Sequence, residues 1–232
     1  MISNNKLLAA LPRSDYLRLL PKLEPVTLRQ NELIYECGKP IRYALFPEHG
    51  IISLQTTLDG RQTIEVASVS ETGFLGVPLA LGAKIHSEHA LVQIEGSGFR
   101  MKADAFLSEF HRGTEFQSAV LNYTRFLLQA ISRSATCNYF HQLNARLAWL
   151  FLRMHAEVGA KEFSMTHKIM SCALGAARSE IAKTAANFRR AGLIDYNRNS
   201  VRVLDRRGLE AEACPCYWLK KRECERYLGK KK

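Results

Sequence analysis

Hydrophobic positions change their period twice along this chain. Over 5–20, Leu7, Leu8, Leu11, Leu17 and Leu20 recur at helical spacing and predict a helix. Over 25–102 the pattern turns to short apolar-rich runs separated by turn residues, at 26–28, 32–37, 43–46, 51–57, 63–69, 90–94 and 98–101. Within 63–69, Ile64, Val66 and Ser68 alternate with Glu65, Ala67 and Val69, the pattern of a half-buried strand. Asp59-Gly60 between two such runs is the strongest hairpin signal in the chain. Strands at this spacing predict a compact antiparallel sandwich or barrel. Helical spacing then returns. Phe116, Val120, Tyr123, Leu127, Ala130, Ile131 and Ala135 form one long stripe over 114–137, and Leu143, Leu147, Leu150, Phe151 and Met154 another over 139–158, with Gly159 as its stop.

The stretch 164–194 carries the most specific pattern. Ile169, Ala173 and Leu174 line one face of a short helix, and Gly175 supplies the positive φ of a sharp turn. Ile181, Ala185 and Phe188 then line a second helix, whose opposite face shows Arg178, Ser179, Glu180, Lys183, Thr184 and Asn187. Two helices joined by a tight glycine turn, the second exposing groups that hydrogen-bond bases and phosphates, make a helix-turn-helix. An ordinary αα-hairpin with a solvated face fits the same stretch. A candidate hairpin follows over 195–204, with Asn197-Arg198-Asn199 at its tip and Val201 and Val203 alternating with Arg202, as in the wing of a winged helix. The segment 207–232 closes on a basic run, Lys230 to Lys232. The long helix over 114–137 either covers the β-domain or pairs with a second copy. Pairing is favoured, because helix-turn-helix proteins use dimers to span two half-sites.

Charge sharpens this picture by its location. The 232 residues carry a net charge of +11, and residues 142–232 hold 19 of the 33 Lys/Arg but 9 of the 22 Asp/Glu. A near-neutral part joined to a strongly basic part is the layout of a regulatory domain fused to a nucleic-acid binder. No apolar run approaches the roughly 18 residues that span a bilayer. The start, with Leu7 to Leu11 as its apolar stretch, is too short for a signal peptide. A cytoplasmic location and reduced thiols are therefore expected for the six cysteines at 37, 137, 172, 214, 216 and 224.

The order of parts resembles the cyclic-AMP-receptor-like (Crp/Fnr) transcription regulators. The resemblance rests on Tyr35-Glu36-Cys37-Gly38-Lys39-Pro40-Ile41, Phe46-Pro47-Glu48-His49-Gly50-Ile51, Ala191-Gly192-Leu193-Ile194-Asp195-Tyr196 and the run from Val203 to Glu210. It implies an α+β chain with a cyclic-nucleotide-binding-like β-roll over 1–113, a dimerisation helix over 114–138 and a winged helix-turn-helix over 139–232. It implies a homodimer on double-stranded DNA, with RNA polymerase as a further partner. Arg178 matches the arginine that reads guanine O6 and N7. Many relatives place a glutamate next; here Ser179 follows, with Glu180 one further on. Lys183 matches a base- or phosphate-contacting position, Thr166 and His167 open the first helix toward the DNA backbone, and Arg198 lies at the wing tip. In the sensor pocket, Gly76-Val77-Pro78-Leu79 and Glu88-His89-Ala90 stand where nucleotide-binding relatives carry Gly-Glu-Leu and Arg-Ser-Ala or Arg-Thr-Ala. Val77 cannot accept from a ribose hydroxyl, and Glu88 places a negative charge at the phosphate position. Gly76, Val77, Glu88 and His89 thus mark an effector pocket that does not take cyclic AMP, and no effector is identified.

The remaining chemistry is sparse. With Cys37 as its lone cysteine in the first hundred residues, the chain lacks the N-terminal cluster of the family's iron–sulfur sensors. Cys137 and His141, and His86 and His89, are ligand pairs, and two ligands do not make a metal site. Cys214, Cys216 and Cys224 offer three thiols without an evident fourth ligand. The segment GVPLALGAK over 76–84 misses the phosphate-loop spacing, and no HExxH, GxSxG or dinucleotide motif occurs. No cofactor, metal site, catalytic residue or membrane partner is expected. The expected function is transcription regulation. Its rivals are a ligand-, metal- or redox-responsive module whose basic half contacts protein or RNA, and a constitutive DNA binder.

Overall fold

The computed structural model describes residues 3–58, 62–197 and 199–229. It separates into two compact units, Met1–Thr56 with Ala67–Gln129, and Thr57–Val66 with Ala130–Lys232. The expected Asp59-Gly60 turn and the Lys230–Lys232 run lie outside the described residues. Among the described residues no helix is long and apolar enough to cross a membrane.

The first unit opens with α1 (Lys6–Ala9) and α2 (Arg13–Leu19) rather than one helix. The break falls at Pro12, which has no N–H to donate and clashes with the preceding turn. Buried Asn5 caps α1 through Leu8 N–H, and its amide donates to the carbonyls of Pro47 and Gly73, both at 2.8 Å. All seven apolar runs are strands: β1 (Glu24–Leu28), β2 (Leu33–Tyr35), β3 (Tyr43–Pro47), β4 (Ile51–Leu58), β5 (Gln62–Val69), β6 (His89–Ile94) and β7 (Gly96–Lys102). They form two sheets in the orders β1-β7-β3 and β2-β6-β4-β5. Their register is antiparallel, with Val26 opposite Gly98 and Leu54 opposite Ala90. Leu28, Tyr35, Leu45, Ile52, Val69 and Val92 come from both sheets into one core. Two helices not anticipated from the sequence, α3 (Val77–Ala80) and α4 (Ala103–Phe110), complete the unit.

The long helix is α5 (Glu115–Phe140). Its stripe serves a different purpose from the one favoured above. Phe116, Val120, Tyr123, Phe126 and Leu127 are buried within their own unit. Phe116 meets Phe106 edge-on at 5.5 Å, and Tyr123 packs against Phe74 at 5.3 Å. Gly73 allows this approach, since a Cβ there would lie 1.9 Å from the Tyr123 ring. Beyond Gln129 the stripe thins: Ile131 is half-buried and Ala135 exposed.

The second unit contains α6 (Leu143–Val158), β8 (Glu162–Ser164), α7 (His167–Leu174), α8 (Arg178–Arg190), β9 (Ile194–Tyr196), β10 (Ser200–Val203), α9 (Arg206–Glu212) and α10 (Cys216–Tyr227). Left-handed Gly159 ends α6 as the sequence predicts. Leu147, Leu150, Phe151 and Met154 of α6 are fully buried, and Phe151 meets Phe188 of α8 at 6.4 Å. The alternation in β5 buries the set that includes its glutamate, a choice the sequence leaves open. Glu65, Ala67 and Val69 are the buried set, while Ile64, Val66 and Ser68 are half-exposed. Glu65 is buried because Arg153 of α6 meets it in an ion pair at 3.0 Å, both side chains being 6% exposed. The segment after 207 is helical in α9 and α10. Asp205 caps α9 through Gly208 N–H at 3.0 Å, and Arg133 of α5 pairs with Glu223 of α10.

Candidate nucleic-acid interface

The helix-turn-helix forms from local sequence chemistry. Thr166 caps α7 by accepting from Ile169 N–H at 3.3 Å. Gly175 ends α7 in the left-handed region at φ 59°, the conformation that lets the chain turn sharply into α8. Met170 and Leu174 are the buried residues of α7, whereas Ile169 and Ala173 are half-buried, a one-position rotation from the expected face. Ile181, Ala185 and Phe188 anchor α8 as predicted.

The opposite face of α8 presents Arg178, Ser179, Glu180, Lys183 and Asn187, all exposed. Among the described residues neither Arg178 nor Lys183 has an ion-pair partner. Their charges are therefore uncommitted. Thr184 instead donates its hydroxyl to the Glu180 carbonyl at 2.9 Å, and Asn187 accepts from Arg190 at 2.6 Å. Arg189 faces Asp195 at 3.9 Å and the Tyr196 ring at 5.9 Å, so it serves its own domain's surface. His167 lies 5.6 Å from the Tyr196 ring, with its Nε2 buried and without a hydrogen-bond partner among the described residues.

The wing is present as a hairpin of β9 and β10, with Val201 opposite Tyr196 and Val203 opposite Ile194. β8 adds a third strand, Val201 lying opposite Phe163. Asn197 Oδ1 accepts from the N–H groups of Asn199 and Ser200, both at 2.9 Å, and so shapes the tip. Arg198 lies outside the described residues. Arg202 is held by Glu162 at 2.7 Å, and the Ser200 hydroxyl and this arginine lower the Glu162 carboxyl below its ordinary range.

In the first unit, Gly76 and Val77 open α3, Val77 being buried, and Glu88 and His89 lie at the start of β6. His89 Nδ1 accepts from Cys37 N–H at 3.3 Å. A cavity of about 770 Å³ lies elsewhere, lined by Tyr35, Tyr43, His86, Lys39, Arg42 and Arg100 among others, and by none of those four. His86 stacks on Tyr35 at 3.6 Å, and burial pushes its imidazole down to about 4, so it is neutral at physiological pH.

The cysteines pair differently from their spacing. Cys137 and His141 lie at the end of α5, and the fold brings them to Cys214 and Cys216 rather than leaving each pair alone. Cys224 is two turns further along α10 from Cys216 and half-buried. No sequence signal joins two half-sites more than 70 residues apart.

Residues 145–212 match the Crp-like helix-turn-helix domain family. No curated protein matches the chain. Among solved structures, FixK2 from Bradyrhizobium japonicum superposes with a TM-score of 0.71 at 14% identity, covering 83% of this chain and 98% of its own. A CRP-family transcriptional regulator from Thermus thermophilus gives 0.69 at 21%, covering 81% and 96%. The c-di-GMP-responsive global regulator CLP of Xanthomonas campestris gives 0.71 at 12%, covering 84% and 100%.

Proposed function

We propose, from the premise that a Crp-like helix-turn-helix domain sits on a chain with the Crp/Fnr fold, that this protein is a homodimeric, sequence-specific transcription regulator. The observation that carries the reading is the exposed face of α8, where Arg178 and Lys183 are uncommitted opposite a buried anchor of Ile181, Ala185 and Phe188. Such a helix fits the major groove, with its first-turn side chains at base edges. Arg178 reads guanine through its fork, while Ser179, Glu180, Lys183, Thr184 and Asn187 complete the contacts to bases and phosphates. Thr166 and His167 at the start of α7, and Arg198, between Asn197 and Asn199 in the sequence, meet the backbone.

Dimerisation runs along α5, on the face its stripe leaves free. Leu121 is 48% and Leu128 58% exposed, seven residues apart, and exposed Ala135 continues that spacing. The β-roll keeps the nucleotide-binding fold without taking cyclic AMP, because Val77 offers no acceptor and Glu88 opposes a phosphate. Regulation works by shifting the pose of the two DNA-binding domains through α5 and the break at His141 and Gln142. RNA polymerase and an effector of unassigned chemistry are its further partners.

Arg178→Ala tests the reading. It should cost about 1–3 kcal/mol of discrimination against the wrong base, roughly 5- to 150-fold, and leave salt-dependent binding to random duplex nearly intact. Arg178→Lys should not restore the preference, because an ammonium lacks the planar fork. Competition binding with operator and scrambled duplexes measures both. Equal loss on every sequence contradicts base reading.

A further inference from the structure

We propose that Cys137, His141, Cys214 and Cys216 form a tetrahedral site for one zinc ion, clamping the end of α5 to the segment that opens α10. Their four ligand atoms all lie within 4.8 Å of one another. Cys137 Sγ is 3.6 Å from Cys214 Sγ, and Cys216 Sγ is 3.7 Å from His141 Nδ1. A tetrahedron built on the usual zinc–sulfur and zinc–nitrogen bonds has edges of about 3.5–3.8 Å, so two of the six edges already have the right length. The set is too tight for an iron–sulfur cluster, which spreads its ligands around several irons. Nor is it a disulfide, since a bonded pair of sulfurs stands about 2.05 Å apart.

The surroundings suit a closed, structural site. The three cysteines are at most 7% exposed and pack against Ala145 and Trp149 of α6. Three buried thiols gain little from solvation, whereas a divalent cation satisfies them and the half-buried His141 imidazole at once. The clamp also lies beside the reading head. Arg146, in the first turn of α6, donates to Asn138 Oδ1 at 2.7 Å and to the carbonyl of Leu174, the last residue of α7. Zinc would thereby hold the join between α5 and α6 in one of its poses and, through Arg146, the turn that sets α8.

The test uses the full-length protein, stripped of metal with a chelator under reducing conditions and then titrated with Zn²⁺ or Co²⁺. The expected result is one equivalent per chain, a dissociation constant below about 100 nM, and the strong visible bands of tetrahedral, thiolate-bound cobalt. Cys137→Ser and Cys214→Ser should each abolish the bands, while Cys224→Ser and Cys37→Ser keep them. His141→Cys guards against a folding artefact: it should still bind one equivalent, with the cobalt spectrum shifted toward four-thiolate coordination. Binding of less than about 0.2 equivalents by the folded wild type would overturn the proposal. So would equal loss in Cys224→Ser, acid-labile sulfide with bound iron, or a Cys137–Cys214 disulfide in protein isolated under reducing conditions.

Discussion

Raising salt from about 50 to about 200 mM should weaken binding to the operator by about three to five orders of magnitude. The expectation rests on how the basic charge is displayed. Residues 142–232 hold 19 Lys/Arg against 9 Asp/Glu. Around the reading head Lys168, Arg178, Lys183 and Arg190 are exposed, while Arg189 and Arg202 are partly committed to acidic neighbours. Three to five phosphates neutralised by each copy give about six to ten for a dimer, and each releases close to one counterion. A log–log plot of affinity against salt should therefore be straight, and Lys183→Ala should lower its slope by about one per copy. A partner protein recognised by the same basic surface would give a much shallower line. A flat response removes DNA as the partner.

Arg153→Ala should destabilise the second unit by about 3–5 kcal/mol, a large share of a domain's total of about 5–15. Both guanidinium nitrogens Nη1 and Nη2 donate to Glu65 Oε1 at 3.0 Å, and the guanidinium lies over the Trp149 ring at 5.2 Å. Removing the arginine leaves a carboxylate in a site that water barely reaches, and that desolvation dominates the cost. Replacing both partners, as Arg153→Met with Glu65→Leu, should recover most of the loss, because the pair's attraction largely offsets its own burial. Urea unfolding of the wild type, Arg153→Met, Glu65→Leu and the double variant measures the cycle. Additive losses in the double variant would mean that the two side chains act independently.

That pair also explains what sequence reading left open. Alternation in 63–69 is legible, but the buried face is the one bearing the glutamate, and nothing local announces an arginine almost 90 residues away. The turns at Gly38 and Gly50 and the alternating runs made all seven strands legible. The apolar anchor of α8 was legible for the same reason, since Ile181, Ala185 and Phe188 repeat at helical spacing. The stripe on α5 identified an apolar face without identifying what covers it, and the β-roll won because Gly73 admits Tyr123. The exposure of Leu121 and Leu128 was not legible beside that stronger stripe. α4 carried a usable signal in Phe106 and Phe110, whereas the four residues of α3 are too few to show a period. The four-ligand cluster was legible only as two unrelated halves. Long-range assembly, which a period cannot encode, made it one site.

The most direct measurement is a selection of genomic DNA fragments by the purified full-length protein, with sequencing of those retained. It should recover one motif with two-fold symmetry, its half-sites about 10–10.5 base pairs apart or a multiple of that, and lose it with Arg178→Ala. Retention without an enriched motif, or a motif unchanged by Arg178→Ala, would contradict a dimer that reads DNA through α8.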